Sequence, residues 1–288
     1  MKFTTIPLLV GVVLSCAQAT AQKLDFKEQI HKEFSLSKAA SGSTLAIYNI
    51  NGFIKVEGYS GDKVMIEIDK TISAKDEQTL EQGKKEFKLQ FDQNADSVIV
   101  YIEEPYDSRP NRNKNKQYNH REVRYQYDLD FTIKVPTQLN LHVSTVNGGE
   151  VTIDNVSGTL RAFNVNGPVT LTNIKGTTEV RTINGNVVAN YLEVPSEKSS
   201  YYSLNGDLKI TYPPTFSADC EFKTFQGAFY TDFTNTEVLP TRVTKTQENR
   251  EGGTVYKLNK DTSIRIGNGG KTFKFETFNG NVYIKKQS

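Results

Sequence analysis

Apolar and polar residues alternate with period two over much of this chain, and the alternation restarts after a recurring Asn-Gly pair. Asn-Gly stands at 51-52, 147-148, 166-167, 184-185, 205-206, 268-269 and 279-280, and Gln226-Gly227 occupies the place of another. Two and four residues after the glycine comes an apolar pair: Ile54/Val56, Val169/Leu171, Val187/Ala189, Leu208/Ile210 and Val282/Ile284. The copy at Gly148 carries one extra glycine, and counting from Gly149 restores Val151/Ile153. Such pairs predict half-buried β-strands. From Gly148 the steps to Gly167, Gly185, Gly206 and Gly227 are 19, 18, 21 and 21 residues. A fixed period of this size predicts a stacked repeat, because one unit cannot bury its apolar face alone.

Each unit divides once more. Gly158 and Gly176 follow Val156-Ser157 and Ile174-Lys175, so a unit reads strand, turn, strand, turn. Gly52, Gly148, Gly167, Gly185, Gly206, Gly227 and Gly280 are the expected structural turns, with glycine at φ > 0 and Asn tolerating the same region beside it. Two architectures fit. An antiparallel meander would use Asn-Gly as a hairpin turn, whereas a solenoid repeats the turn once per coil and stacks equal side chains in ladders. Asn recurs together with a preceding Val, Ile or Leu, as ladder positions would. The expected fold class is therefore all-β, a single-stranded β-solenoid (β-helix-like) with coils of about 20 residues and one short helix in the N-terminal part.

Upstream of the repeat, Ile30, Phe34 and Leu36 share one parity, as do Val64, Ile66, Ile68 and Ile72, and further strands are expected near 87–91 and 97–102. Ser73 is the expected cap of a helix running to about Lys84, with Asp76 and Glu77 in its first turn. The implied organisation is a leader over 1–21, an N-terminal β region over 22–135 with a polar insertion at 103–124, and the Asn-Gly solenoid over 136–288. A second insertion, 234–262, is expected to form a hairpin turning at Arg250-Glu251-Gly252-Gly253.

The leader reading rests on Lys2, the apolar run Ile6 to Leu14, and Ala-x-Ala at 17–19 and 19–21. That run is far shorter than the roughly 20 residues a bilayer-spanning helix needs. Val13-Leu14-Ser15-Cys16 adds a competing lipoprotein cleavage box. Soluble cleavage before Gln22 and lipidation of Cys16 both stay open. Either outcome implies an exported chain, in the periplasm or at the cell surface or beyond, with no transmembrane segment once mature.

Composition narrows the function classes. With 35 Lys+Arg against 33 Asp+Glu the net charge is +2, which offers no footprint for nucleic acid. Two cysteines in 288 residues exclude a disulfide-stapled module. Cys220 shares its parity with Phe216, Ala218 and Phe222, and so is expected on the buried face of a strand.

Catalytic motifs are sparse. The three histidines, His31, His120 and His142, have no zinc-like spacing, and no G-x-S-x-G occurs. Gly267-Asn268-Gly269-Gly270 lacks the spacing of a dinucleotide fingerprint and is read as a turn. No catalytic, metal or cofactor residue is expected, and no cofactor. His142, opposite in parity to Leu141 and Val143, is expected to face solvent. Asp154, Glu179, Glu193 and Asp207 are the acids expected along one outer face. The remaining candidates lie in the first insertion, where Arg109, Arg112, Lys114, Lys116, Tyr118 and Arg121 could contact an anion or glycan, or simply form a solvated loop.

Thr145-Val146-Asn147-Gly148, Asn164-Val165-Asn166-Gly167, Thr182-Ile183-Asn184-Gly185-Asn186, Ser203-Leu204-Asn205-Gly206-Asp207 and Thr277-Phe278-Asn279-Gly280-Asn281-Val282 together make a recognisable signature. With Val135-Pro136 leading into it, this run resembles the bacterial putative-adhesin family of β-strand repeat proteins. The resemblance covers about residues 40 to 288 and is best from 136 onward. It implies an exported β-solenoid without motif-borne catalytic residues, assigned to adhesion by name, with some relatives tied to envelope stress.

The expected function is thus a non-enzymatic, adhesin-like binding or scaffold protein of the cell envelope, its partner an unidentified envelope polymer or surface protein. A polysaccharide-active β-helix enzyme and an envelope-stress sensor or regulator are the competing expectations.

Overall fold

The computed structural model describes residues 23–110, 122–250 and 253–288, and for 241–250 and 253–261 the backbone alone. The first half contributes β1 (Leu24–Ser35), β2 (Thr44–Tyr48), β3 (Ile54–Tyr59), β4 (Lys63–Ala74), β5 (Lys88–Gln93), β6 (Ser97–Glu104), β7 (Gln126–Pro136) and β8 (Asn140–Ser144). The repeat supplies β9 (Val151–Asp154), β10 (Leu160–Phe163), β11 (Val169–Ile174), β12 (Thr178–Asn184), β13 (Val187–Tyr191), β14 (Ser200–Asn205) and β15 (Leu208–Tyr212). The chain ends with β16 (Ala218–Gln226), β17 (Phe229–Thr231), β18 (Thr236–Arg250), β19 (Gly253–Ile266), β20 (Thr272–Asn279) and β21 (Val282–Lys286).

These strands form two large mixed sheets. Sheet A has 10 strands in the order β1-β4-β7-β3-β9-β11-β13-β15-β21-β17. Sheet B has 11, in the order β18-β19-β16-β20-β14-β12-β10-β8-β2-β6-β5. Through the repeat, successive strands alternate between the sheets, and neighbours within each sheet run parallel. Parallel pairing rules out a hairpin meander there. The chain is not one closed coil either, since antiparallel strands flank the parallel part: β1, β4 and β5 at one end, β18 and β19 at the other.

The apolar pairs after each glycine become two rows on the inner face of sheet A. Ile54, Val151, Val169, Val187, Leu208 and Val282 stack in register, and beside them Val56, Ile153, Leu171, Ala189, Ile210 and Ile284. All twelve are almost wholly buried, and they share one hydrophobic core with the inner residues of sheet B. Where β14 faces β15 the core turns aromatic and polar at once. The hydroxyls of Tyr191, Tyr201 and Tyr212 form a buried chain, with O–O separations of 2.5 and 3.1 Å. Cys220 is fully buried on β16, on the face expected for it.

Stacking order departs from chain order at both ends. β2 and β3 pair with β8 and β9 although the partners, Thr44 and Asn140 or Ile54 and Val151, are almost 100 positions apart in sequence. β20 and β21 lie between β14/β15 and β16/β17, so the last strands of the chain form the next-to-last layer. β18 and β19 pair antiparallel up to Arg250↔Gly253, as the turn residues imply.

The helix forms where expected but starts later. Ser73 belongs to β4, and Asp76 is the cap: its carboxylate accepts the Thr79 N–H at 2.8 Å, opening α1 (Glu77–Glu86). Asp76 outcompetes Ser73 because the β4–β7 ladder claims the backbone of Ser73, opposite Gln126. No helix among the described residues is long and apolar enough to cross a membrane.

The turn glycines need a correction. Only Gly52 (φ 104°) and Gly148 (φ 76°) of the repeat turns sit at positive φ. Gly167, Gly185, Gly206, Gly227 and Gly280 do not, and glycine is required there for another reason. A Cβ on Gly185 would collide with the carbonyl of Gly167 in the layer below, and one on Gly206 with that of Gly185. Close backbone approach, rather than a left-handed turn, fixes these residues.

Candidate functional site

Every Asn-Gly but Asn268-Gly269, which joins β19 to β20 within sheet B, lies where sheet B hands the chain to sheet A, and three rows converge there. Outermost is an asparagine ladder: Asn279 donates to Asn205, Asn205 to Asn184, Asn184 to Asn166 and Asn166 to Asn147, at 2.8–2.9 Å, and Asn147 reaches Asn51 at 3.2 Å. The last amide, Asn51, donates to the Tyr127 carbonyl at 3.0 Å. One residue earlier runs a row of apolar side chains, part-exposed from Ile50 to Leu204 and open at the far end. There Phe278 and Phe225 are 44% and 70% exposed and stack at 4.7 Å.

A third row, two residues before each Asn, escaped the sequence reading. Thr145, Thr182, Ser203 and Thr277 donate their hydroxyls to glycine carbonyls one layer away at 2.8–3.0 Å, and Asn164 does the same with its amide. The signal was present in the sequence. Every one of these positions carries a small donor side chain, yet such residues read as ordinary turn polarity unless their partner is known.

A cleft of about 560 Å³ opens where the ladder begins. Ile50, Asn51 and Asn147 form one wall, and Tyr127 and Asp128 of β7 form the other. Tyr106, 40% exposed, stands at the rim. β7 arrives because it pairs in parallel with β3, placing Phe131 opposite Ile54. Partial burial raises the Asp128 carboxyl above the usual carboxylate range, and Asp130, through its charge and a hydrogen bond, pushes the same way. Burial also pushes the Tyr127 phenol up to about 12.

Asp130 is engaged further by the Phe53 N–H at 3.1 Å. The two acids therefore lean on each other and on backbone. Glycoside hydrolysis instead needs two carboxyls flanking a bond, about 5–9.5 Å apart. Tyr127 is itself buried and packs on Phe87 at 4.9 Å, so what the cleft offers is the Tyr106 ring, amides and a shielded carboxyl, a set that matches a ligand with ring C–H faces and hydroxyl edges.

The acids expected along one outer face are not gathered. Asp154 lies on sheet A, Glu179 on sheet B, and Glu193 and Asp207 in connections, because successive strands alternate between the sheets. Each has local partners: Asn155 and Asn173 for Asp154, Arg161 and Arg181 for Glu179, Lys175 for Glu193, and Lys209 for Asp207. His142 lies on the outer face of β8, as its parity implies, but neighbouring rings half-cover it. It sits between the rings of Tyr48 and Phe163, centroids 5.2 and 5.4 Å away, with the Tyr48 hydroxyl 3.3 Å from Nδ1. Burial, then the Arg161 charge, lowers its pKa.

Of the insertion candidates, Arg109 is described. It forms a two-pronged pair with Asp107 at 2.6 and 3.0 Å, and its guanidinium lies 3.7 Å over the Tyr101 ring. Arg112, Lys114, Lys116, Tyr118, Arg121 and Cys16 lie outside the described residues. Among the described residues, no group of three His, Cys, Asp or Glu could hold a metal ion.

No protein-family model matches this chain, and no curated protein does. Three solved structures are similar over most of it. A putative cell adhesion protein from Clostridium sporogenes has 12% identity and a TM-score of 0.42, covering 91% of this chain and 100% of its own. A putative adhesin from Bacteroides fragilis has 12% identity and a TM-score of 0.38, covering 90% and 97%. A putative lipid binding protein from Parabacteroides distasonis has 9% identity and a TM-score of 0.27, again covering 90% and 97%. Likeness at this level carries neither detail of fold nor role across.

Proposed function

We propose that this chain is an exported, non-enzymatic binding protein of the cell envelope, adhesin-like in role, whose cleft holds a hydroxyl-rich segment of an envelope polymer. The observation that carries the reading is the cleft itself, where the exposed Tyr106 meets Asn51, Asn147 and the shielded Asp128. Aromatic faces cover C–H surface and amides bond hydroxyls, so the set suits sugars better than peptides or phosphates. Export rests on the leader features at Lys2, Ile6 to Leu14 and the Ala-x-Ala sites, with Cys16 as the anchor of the lipidated alternative. In the same reading the parallel layers are coils of a β-solenoid capped by antiparallel strands, a scaffold that holds the binding surface rigid.

The test is capture from the organism's envelope extract with residues 22–288, beside Tyr106→Ala and a form with 103–124 shortened. Retention of one polymer by the intact chain and its loss in Tyr106→Ala supports the reading. Release of shortened polymer fragments would instead establish the enzyme. Nothing retained by any form, together with an altered stress response on gene deletion, would favour the regulator.

A further inference from the structure

We infer that the asparagine ladder and the apolar row beside it form a track for a linear, uncharged polysaccharide, extending the cleft along the length of the stack. The inference rests on the cleft reading above and names how the rest of the polymer is held.

Four observations carry it. First, the amides have capacity left over. An Asn amide has two N–H donors and two acceptor lone pairs. The ladder engages one of each: Asn166, for example, donates to Asn147 and accepts from Asn184. Asn147, Asn166, Asn184, Asn205 and Asn279 are all exposed.

Second, the neighbouring row supplies the complementary chemistry at the same spacing. Val165 precedes Asn166, Ile183 precedes Asn184 and Leu204 precedes Asn205, so every layer presents one amide and one apolar side chain. A pyranose ring has the same division, with hydroxyls at its edge and C–H groups on its face. Successive layers repeat at the strand spacing of roughly 4.8 Å, close to the length of one extended sugar unit. Seven layers, from Asn51 to Gln226, span about 29 Å at that spacing.

Third, neither row contains a charged residue, so an uncharged polymer fits better than a uronic-acid or phosphate polymer. Fourth, the track is continuous with the cleft, since Ile50, Asn51 and Asn147 belong to both. It ends on the stacked pair Phe225 and Phe278, whose exposed rings offer a last platform for a sugar face.

The experiment is calorimetric titration of residues 22–288 with cello- and chito-oligosaccharides of two, four, six and eight units. Affinity is expected to climb with length, by about tenfold or more from dimer to octamer, as added units bind at high effective concentration. It should barely respond to salt, since no ion pair is involved. Phe225→Ser with Phe278→Ser, and separately Val165→Lys, should bring the octamer down toward the dimer and leave the dimer unchanged, with melting temperatures confirming the fold. Tyr106→Ala should weaken the dimer itself.

Equal affinity for dimer and octamer, with Tyr106→Ala weakening both, overturns the track and leaves the cleft reading standing. A length dependence that survives both track variants overturns it as well. So does the absence of binding to every oligomer while the extract capture still retains a polymer.

Discussion

The hydroxyl of Thr182 donates to the carbonyl oxygen of Gly167, fifteen residues earlier, at 2.9 Å. Both groups lie at the edge of the core, and the same bond recurs from Thr145, Ser203 and Thr277 to their glycines. Thr182→Val keeps the shape and removes the donor, leaving the Gly167 carbonyl without this partner. The expected cost is about 1–3 kcal/mol, read as a lower denaturant midpoint with an unchanged slope. A midpoint equal to that of the parent would mean the row is decorative.

Gly185 separates two explanations of the turns. Were positive φ the reason for glycine, Asn would be tolerated there, because it visits that region readily. Its φ is not in that region, and the Gly167 carbonyl occupies the space a Cβ would need. Gly185→Ala and Gly185→Asn are both expected to destabilise by about 1–3 kcal/mol through overpacking. Thermal melting decides it, and rescue by Asn alone would restore the left-handed explanation.

Tyr201 bridges Tyr191 and Tyr212 through hydroxyls that are all buried. Tyr201→Phe breaks both links and is expected to cost about 1–3 kcal/mol. Burial first, and then neighbouring phenols, raises the Tyr201 pKa well above its ordinary 10.0. The unfolded chain therefore loses the proton first, and stability present below pH 10 is lost as pH rises beyond it. Denaturant midpoints between pH 9 and 11.5 should fall more steeply for the parent than for Tyr201→Phe.

His142 works in the opposite pH range. Its pKa is lowered in the folded chain by burial and then by Arg161, so the unfolded chain binds the proton more readily. Stability is therefore full above the ordinary value of 6.5 and declines as pH falls through it. His142→Phe preserves ring contacts with Tyr48 and Phe163 and should flatten the profile between pH 7.5 and 5. An identical slope in the variant would sink this assignment.

Much of the fold was legible because burial in a half-exposed strand has a strict period. Val169 and Leu171, or Phe216, Ala218, Cys220 and Phe222, could be placed inside from alternation alone, and they are inside. Layer order was not legible. Thr277-Phe278-Asn279-Gly280 and Thr224-Phe225-Gln226-Gly227 present nearly the same side chains, so the pattern does not say which of them meets Ser203-Leu204-Asn205-Gly206. The candidate cleft stayed hidden for a related reason. Tyr127 and Asp128 carry no motif, and they meet Asn51 only because a strand 76 residues distant docks beside it.

That layer order also bears on how the molecule is made. β16 and β17 leave the ribosome before β20 and β21, yet the surface they pair with in the stack is built from those last strands. Zippering in step with synthesis can proceed through β15 and must then wait. Residues 272–286 must be made before they can slot against β14 and β15 and let the outer layer close over them. Under the export proposed above, the aromatic end of the stack is completed only once β20 and β21 have crossed the membrane.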